Sequence, residues 1–408
     1  MSHSPIKLIG IAAWKFVPSE PRHNTFHQAI SDEAAKQGLP MEYLGLKNTF
    51  KADWVNQVLP DTALKRIPYI SPRQLSKILR SLHSTKNTRT VIYMFEGSFT
   101  WLFLLSLISG LIPNSSVVCN LFPSSKYSRI LYNKRGLRPL YSRVFLVISK
   151  FKNIHLTFDT ELMIKKVNNS LGREQFGKIF PLPSALPYLD EPKNNLSSHH
   201  KILINMRDFN LGELHELISQ SCKECTFVLP RGPMASTPLA HQFGQYSNLS
   251  FDEINIPVEN YLDYIDHFDY MIFLYKPSID SSGKLLDAVV RRIPVCLPVQ
   301  STEWCSIAAK YGYLHEYDCL SMEAKVKTFN HPIFLDPESS EIPEFTPSGA
   351  IKNLSNYATP SFSQKNFLNG RLYLISGLLI TLYWIGASTA NFGLSLISKT
   401  TSKLRKIR

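Results

Sequence analysis

Short apolar runs, each followed by a polar loop and then by a helical pattern, recur along most of this chain. The clearest case is 270–300, where YMIFLY leads to a loop rich in Pro, Ser and Asp, then to a helical pattern, and then to IPVCLP. Short apolar strands that alternate with helices are typical of parallel sheets. The pattern therefore predicts an α/β protein.

The same pattern predicts further strands and divides the chain. The other predicted strands are 6–13, 91–95, 117–120, 145–148, 202–206 and 226–229. Asn24 or Thr25 is expected to cap the first helix, so that the Pro-containing stretch 14–23 is a loop. With 408 residues the chain is long enough for two domains, and a polar linker near 192–198 separates domains expected at 1–190 and 200–335.

The C-terminal part has a different pattern. Residues 336–370 are rich in Pro, Ser, Asn and Glu, which favours a loose connector. Residues 372–397 then carry no charge over 26 positions and are followed by the basic tail 398–408. A helix over 372–397 is long enough to cross a bilayer, and it also suits an interfacial or re-entrant position beside anionic lipid, or a buried core helix. We expect membrane attachment through this segment.

Charge narrows the possible partners. The formal net charge is +13, and no acidic residue occurs between Gly97 and Phe158, a stretch that holds eight Lys and Arg residues. Such a stretch attracts nucleic acid, anionic lipid or a phosphorylated substrate. Because no nucleic-acid-binding motif accompanies it, we expect an anionic membrane surface and no nucleic acid. The six scattered cysteines, with one lone C-x-x-C, indicate a reducing compartment and no metal site.

The loop 276–283 is where we expect chemistry. Ser281 and Ser282 are good helix caps, and Gly283 lets a ligand approach the backbone closely. The free amides and positive dipole end of the following helix suit a phosphate group. Asp287 lies one turn later on the same face, where its carboxylate can accept hydrogen bonds from ribose hydroxyls.

At these residues the sequence resembles the retaining glycosyltransferases of family 4, which have the GT-B fold. The residues from Ser281 to Ala288, followed by Ile293-Pro294-Val295, are similar to the E-x7-E element that holds a nucleotide-sugar in that family, with Asp287 in place of the second acid. The resemblance implies two Rossmann-like domains that face a cleft. It also implies catalysis without a metal or other cofactor.

The resemblance extends to other donor-binding and acceptor-binding residues. Arg207 matches an Arg that grips the donor diphosphate, and Lys284 stands in for the Lys that the family has nearby. The turn around Arg231 and Gly232 resembles one that lies near the nucleotide base. Glu96 follows the strand 91–95, at the kind of edge where open α/β sheets bind ligands.

We expect Glu96 to position the acceptor, with Arg22 and His23 of the 14–23 loop beside it. The expected catalytic residues are Glu96 and Arg207. Together these residues predict a hexosyltransferase-like enzyme that moves a sugar from a UDP- or GDP-linked donor to a lipid-linked or other glycan acceptor. The reaction is expected at the cytoplasmic face of a membrane, with retention of the anomeric configuration.

Two alternatives remain open. One is a GT-B relative with other chemistry, such as an inverting transferase or a nucleotide-sugar epimerase. The other is a catalytically inactive GT-B scaffold. A dinucleotide oxidoreductase is disfavoured because no G-x-G-x-x-G follows a predicted strand.

Overall fold

The computed structural model describes part of the chain. The described residues are 5–12, 21–46, 55–59, 73, 76–77, 80, 88–94, 115–120, 153–171, 177–178, 180, 184, 186, 188–189, 200–207, 211–221, 225–229, 246–251, 260–275, 282–318, 320–358, 386 and 389.

The first sheet has six parallel strands in the order β3-β2-β1-β4-β5-β6. Its strands are β1 Ile6–Ala12, β2 Met41–Leu46, β3 Val55–Leu59, β4 Arg89–Met94, β5 Ser115–Asn120 and β6 Ile154–Thr157. Two helices follow strands of this sheet, α1 Pro21–Lys36 and α2 Glu161–Leu171. We call this assembly the first unit.

The second sheet repeats that order with the next six strands, β12-β11-β10-β7-β8-β9, again all parallel. Its strands are β7 His200–Arg207, β8 Cys225–Leu229, β9 Leu249–Phe251, β10 Tyr270–Tyr275, β11 Val295–Pro298 and β12 Leu314–Tyr317. The helices of this second unit are α3 Leu211–Ser219, α4 Tyr261–Asp266, α5 Gly283–Val290, α6 Thr302–Tyr311 and α7 Met322–Asn330. Since both orders are those of a Rossmann sheet, the predicted α/β class with two Rossmann-like units of the GT-B kind is confirmed.

The second unit has a core on each face of its sheet. One core joins the strands to α5 and α6 through residues such as Leu286, Val289 and Trp304. The other joins them to α3 and α7 through residues such as Leu217 and Phe329. Because both faces are covered, the central strands are continuously apolar, which is why 270–300 has such a clear pattern.

Within the described residues the chain passes between the units twice. Phe180 packs in the first unit, whereas Leu186 packs in the second. Phe345 belongs to the second-unit core, and the following helix α8, Pro347–Asn356, returns to the first unit. There its buried residue Leu354 packs in one cluster with residues of α1. The two passages touch where the Ser184 amide donates to the Phe345 carbonyl at 2.6 Å.

Two predicted boundaries differ from where the described residues pack. Residues 336–370 are not a loose connector in their described part, since α8 is a helix whose apolar side is buried. The first domain also does not extend to 190 as one block, because Leu186 packs in the second-unit core and Leu189 donates its amide to Val290 there. Pro and Ser dominate the composition around α8, which hid its apolar spacing.

The predicted start of the first helix is also wrong. Helix α1 begins at Pro21, so Arg22 and His23 lie in its first turn and not in a loop. Proline is well suited to a first helical turn because it has no amide hydrogen to leave unpaired there. Asn24 and Thr25, the expected caps, are inside the helix.

The remaining C-terminal predictions concern residues that the structure mostly does not describe. Of the segment 372–397 only Gly386 and Thr389 are described, and the tail 398–408 lies outside the described residues, as does the predicted strand 145–148. Within the described part of the chain, no helix combines the length and apolar character needed to cross a bilayer.

Candidate functional site

Strands β7 and β10 bring two candidate donor-binding elements to one sheet edge. The two strands are parallel neighbours, and Arg207 at the end of β7 pairs in register with Tyr275 at the end of β10. The chain then runs through 276–281 to the start of α5 at Gly283. The predicted diphosphate-binding arginine and the N-terminus of α5 therefore both follow the carboxyl ends of adjacent strands, where open α/β sheets bind ligands.

Ser282 caps α5, as the sequence predicts. Its backbone is extended, with φ −99° and ψ 112°, and its hydroxyl accepts a hydrogen bond from the Leu285 amide at 3.4 Å. Ser282 is only 9% exposed and Gly283 is buried. The Ser282 hydroxyl thus forms a hydrogen bond within the helix. Its contact with a donor phosphate stays a prediction.

Asp287 has a partner that the sequence did not indicate. Its side chain is only 1% exposed, and its Oδ1 accepts a hydrogen bond from the Ser184 hydroxyl at 2.7 Å. That hydroxyl in turn accepts from the Leu186 amide at 3.1 Å. The carboxylate therefore ties α5 to the segment that passes between the units, and its predicted ribose contact is not tested.

The C-terminal end of α5 is fixed as firmly as its start. The Arg291 guanidinium forms a two-point ion pair with Asp266 of α4, with its Nε 2.9 Å from Oδ1. Arg292 has a left-handed backbone, with φ 55°, and donates to the Tyr311 carbonyl at 2.9 Å. Its guanidinium also lies over the Tyr188 ring at 5.0 Å. Both ends of α5 are thus held by side-chain contacts.

Glu303, in the first turn of α6, reaches the first unit. Its Oε2 accepts a hydrogen bond from the Leu162 amide, in the first turn of α2, at 3.2 Å. Burial raises the pKa of the Glu303 carboxyl above its usual value, and the hydrogen bond from Leu162 opposes that shift. The carboxyl edges of the two sheets therefore face each other at this contact.

The first unit presents buried polar groups at the same edge. Asn120 ends β5 and donates from Nδ2 to Asp159 Oδ1 at 3.1 Å and to the Phe180 carbonyl at 3.0 Å. Thr160 caps α2 by accepting from the Met163 amide at 3.3 Å. These bonds set the direction in which α2 points, and so the place where Glu303 meets it.

The structure brings together part of the predicted site. Arg207, Ser282, Gly283, Lys284 and Asp287 all lie at the end of β7 or in the first turns of α5, with Lys284 half-buried. The predicted residues Glu96, Arg231, Gly232 and Ser281 lie outside the described residues. The side chains of Arg22, His23 and Arg207 are likewise not described.

Sequence reasoning missed Ser184 and Glu303. Each acts on a residue far along the chain, so no local pattern indicates these contacts. No group of three or more His, Cys, Asp or Glu side chains suited to a metal ion occurs among the described residues.

Comparison with known proteins finds only distant likenesses in structure. No family model matches the chain, and no curated protein matches it. Among solved structures, the chain is similar to a lipopolysaccharide outer core galactosyltransferase, WaaB, in its apo form, with 12% identity, a TM-score of 0.47, and coverage of 91% of this chain and 99% of that one.

Two other solved structures show a likeness of the same kind. The α,α-trehalose 6-phosphate synthase of Burkholderia multivorans has 8% identity and a TM-score of 0.47, over 98% of this chain and 100% of that one. The UDP-GlcNAc 2-epimerase of Methanocaldococcus jannaschii, in complex with UDP-GlcNAc and UDP, has 13% identity and a TM-score of 0.44, over 86% and 99%. At such identities and TM-scores the likeness assigns neither substrate nor activity to this chain.

Proposed function

We propose that this protein is a glycosyltransferase that binds a nucleotide-sugar at the N-terminus of α5 and transfers its sugar to an acceptor held by the first unit. The observation that carries the proposal is the in-register pairing of Arg207 with Tyr275 ahead of α5. This pairing sets a guanidinium-bearing residue and a capped helix N-terminus at one edge of a Rossmann-like sheet. A diphosphate needs both a charge partner and directed amides.

In the proposed reaction the donor diphosphate lies between Arg207 and the first turn of α5, with Lys284 beside it. Negative charge grows on the diphosphate as the bond to the sugar breaks. A fixed cation and a helix N-terminus therefore stabilise the transition state more than the bound donor, which is the requirement for catalysis. This chemistry needs no metal, and retention of the anomeric configuration is part of the proposal.

The proposed acceptor is a lipid-linked or other glycan at the cytoplasmic face of a membrane. The support comes from the sequence, namely the stretch of eight cations without acidic residues and the uncharged segment 372–397 beside its basic tail. Glu96, at the carboxyl end of β4, is the residue proposed to position the acceptor. UDP- and GDP-linked sugars are the proposed donors.

The contact between Ser184 and Asp287 favours one alternative. A carboxylate that is 1% exposed and bonded to the segment between the units is used in holding the fold together. An inactive scaffold retains such a contact without binding a nucleotide. Donor binding must therefore be measured directly.

The test is calorimetric titration of the full chain with UDP, GDP and a panel of UDP- and GDP-linked sugars, alongside an assay of sugar release. We compare Arg207→Ala with Lys201→Ala, which removes a positive charge from the opposite end of the same strand. A lost charge-assisted contact with a diphosphate is expected to weaken binding by about ten- to a hundred-fold in Arg207→Ala, or about 1.5–3 kcal/mol. Lys201→Ala should bind like the natural protein.

Two results would overturn the proposal. One is a folded protein that gives no heat with either nucleotide or any donor, which supports the scaffold. The other is equal weakening in the two variants, which places the diphosphate away from the end of β7. Release of an epimer in the absence of any acceptor would show that the reaction is epimerisation and not sugar transfer.

A further inference from the structure

Two kinds of connection join the two units. In the first connection the units share the passages of the chain, where the backbone of Ser184 bonds to that of Phe345 and the backbone of Leu189 bonds to that of Val290. In the second connection a side chain of the second unit, Glu303, accepts a hydrogen bond from the backbone of the first. The first connection is covalently continuous, whereas the second can separate without breaking the chain.

The first connection has the properties of a hinge. Close to Ser184 the chain changes from the first-unit core, which holds Phe180, to the second-unit core, which holds Leu186. The return passage changes between Phe345 and Ala350. Rotation about a few backbone bonds at these two adjacent places moves one unit against the other and leaves both cores intact.

The second connection is a helix cap supplied by the other unit. The first amides of a helix have no partner within it, and a carboxylate is favoured at that end by the dipole. In α2 one of these amides, that of Leu162, donates a hydrogen bond to Glu303. The amide of Met163 donates to the Thr160 hydroxyl. A cap is normally part of its own chain segment, but Glu303 is 141 positions away.

We propose that Glu303 is a latch, a positioning residue that holds the cleft between the two units closed by capping α2 from α6. Closure brings the carboxyl edges of both sheets together, and opening about the first connection separates Glu303 from Leu162. The latch is a property of the two-unit fold and stands whether or not the proposed function is correct.

The latch is balanced so that it can open. The half-buried carboxylate loses hydration in the closed form and regains it on opening, which offsets part of the lost hydrogen bonding. The raised pKa of Glu303 has this burial as its first cause. A contact that is favourable only by a small margin suits a cleft that must admit and release a ligand.

The test measures the distance between the two units by double electron–electron resonance spectroscopy. Nitroxide labels are placed at Lys166 of α2 and Glu323 of α7, both exposed, with Cys222 and Cys319 changed to serine. The four described cysteines, 119, 225, 296 and 305, are buried. We expect a dominant short distance in the parent protein. Glu303→Ala should reduce the ratio of short to long distances at least about tenfold, because it removes the hydrogen bonds that the carboxylate accepts from Leu162, Glu161 and Thr160.

Two further variants make the result specific. Glu303→Gln keeps an oxygen acceptor for the Leu162 amide without a buried charge, and it should retain the short distance. Glu338→Ala removes an exposed carboxylate elsewhere in the second unit and should also retain it. An unchanged distance distribution in Glu303→Ala would overturn the proposal, and so would an equal shift in Glu338→Ala. Circular dichroism of Glu303→Ala is the control that checks whether the variant stays folded.

Discussion

The hydrogen bond from Ser184 to Asp287 offers the sharpest test of how the two units are joined. The bond is 2.7 Å long, and both residues are almost fully buried. The Ser184 hydroxyl also accepts from the Leu186 amide at 3.1 Å, so Ser184→Ala removes two bonds at once. Alanine fits the same space and takes the same backbone conformation, so the variant changes little besides these bonds.

The expected loss of stability follows from the two hydrogen-bond partners of the Ser184 hydroxyl. Losing a hydrogen bond to a buried carboxylate costs about 1.5–3 kcal/mol, and leaving a buried amide without its acceptor costs about 1 kcal/mol more. We therefore expect Ser184→Ala to lower the free energy of unfolding by about 2–4 kcal/mol. The loss should appear in the second unit, because Asp287 belongs to α5 and Leu186 packs in the second-unit core.

The assay combines urea unfolding with hydrogen exchange. Urea gives the change in unfolding free energy, and exchange of the α5 amides shows where the loss lies. The matched control is Ser306→Ala, since Ser306 is exposed and its hydroxyl bonds to a carbonyl one turn back in the same helix. It should change the stability by less than about 0.5 kcal/mol.

A double-mutant cycle decides whether the partner is Asp287. Ser184→Ala and Asp287→Ala are compared singly and together. A direct bond predicts a coupling energy above about 1 kcal/mol, because the second change has less to remove once the first is made. Additive effects within about 0.5 kcal/mol would refute the reasoning.

Three other predictions concern the first unit. Gly10→Ala should destabilise by about 1–3 kcal/mol in urea unfolding, since a Cβ there would lie 2.2 Å from the buried Tyr43 ring. Leu354→Ala should cost about 2–5 kcal/mol in the same assay, because this fully buried residue joins α8 to α1. Burial and the neighbouring Lys178 lower the pKa of His155 from 6.5 to about 4. The folded state is therefore fully favoured above pH 6.5 and loses stability as the pH falls toward 4. His155→Gln should flatten this dependence in unfolding measurements at several pH values.

The first two of these predictions have control variants in the same unit, and the third has an outcome that would contradict it. Gly177→Ala adds a methyl group where no atom of the described residues lies within 4 Å, so it should be neutral where Gly10→Ala is not. Lys352→Ala changes the exposed side of α8 and should leave stability within about 0.5 kcal/mol. A pH profile of His155→Gln that matches the parent protein would assign the acid sensitivity to other groups.

The strands that sequence patterns predicted are the ones that the fold buries on both faces. Strands β1, β4, β10 and β11 have long apolar runs because helices cover them, and such runs are visible without a structure. The strands β3, β9 and β12 lie at or beside the sheet edges and have short, mixed sequences such as LHEY. Their extended form comes from pairing with a neighbour, which a local pattern does not encode.

In the candidate site, too, local features could be predicted from the sequence and long-range contacts could not. The cap at Ser282 and the start of α5 are local features, and the sequence predicted both. The partners of Asp287 and Glu303 lie 103 and 141 positions away, so only the folded chain reveals them. The start of α1 was missed because Asn24 and Thr25 look like caps, although Pro21 takes the first helical position.

The return of α8 to the first unit makes that unit discontinuous in the chain. Residues 350–354 complete a cluster that includes Phe26 and Ile30 of α1, yet the ribosome produces them only after the whole second unit. During synthesis the part of the apolar side of α1 that these residues cover therefore remains exposed until the second unit has been made. Because the first unit cannot finish assembling before the second has emerged, a nascent chain stalled before residue 347 should carry an exposed, chaperone-binding surface on α1.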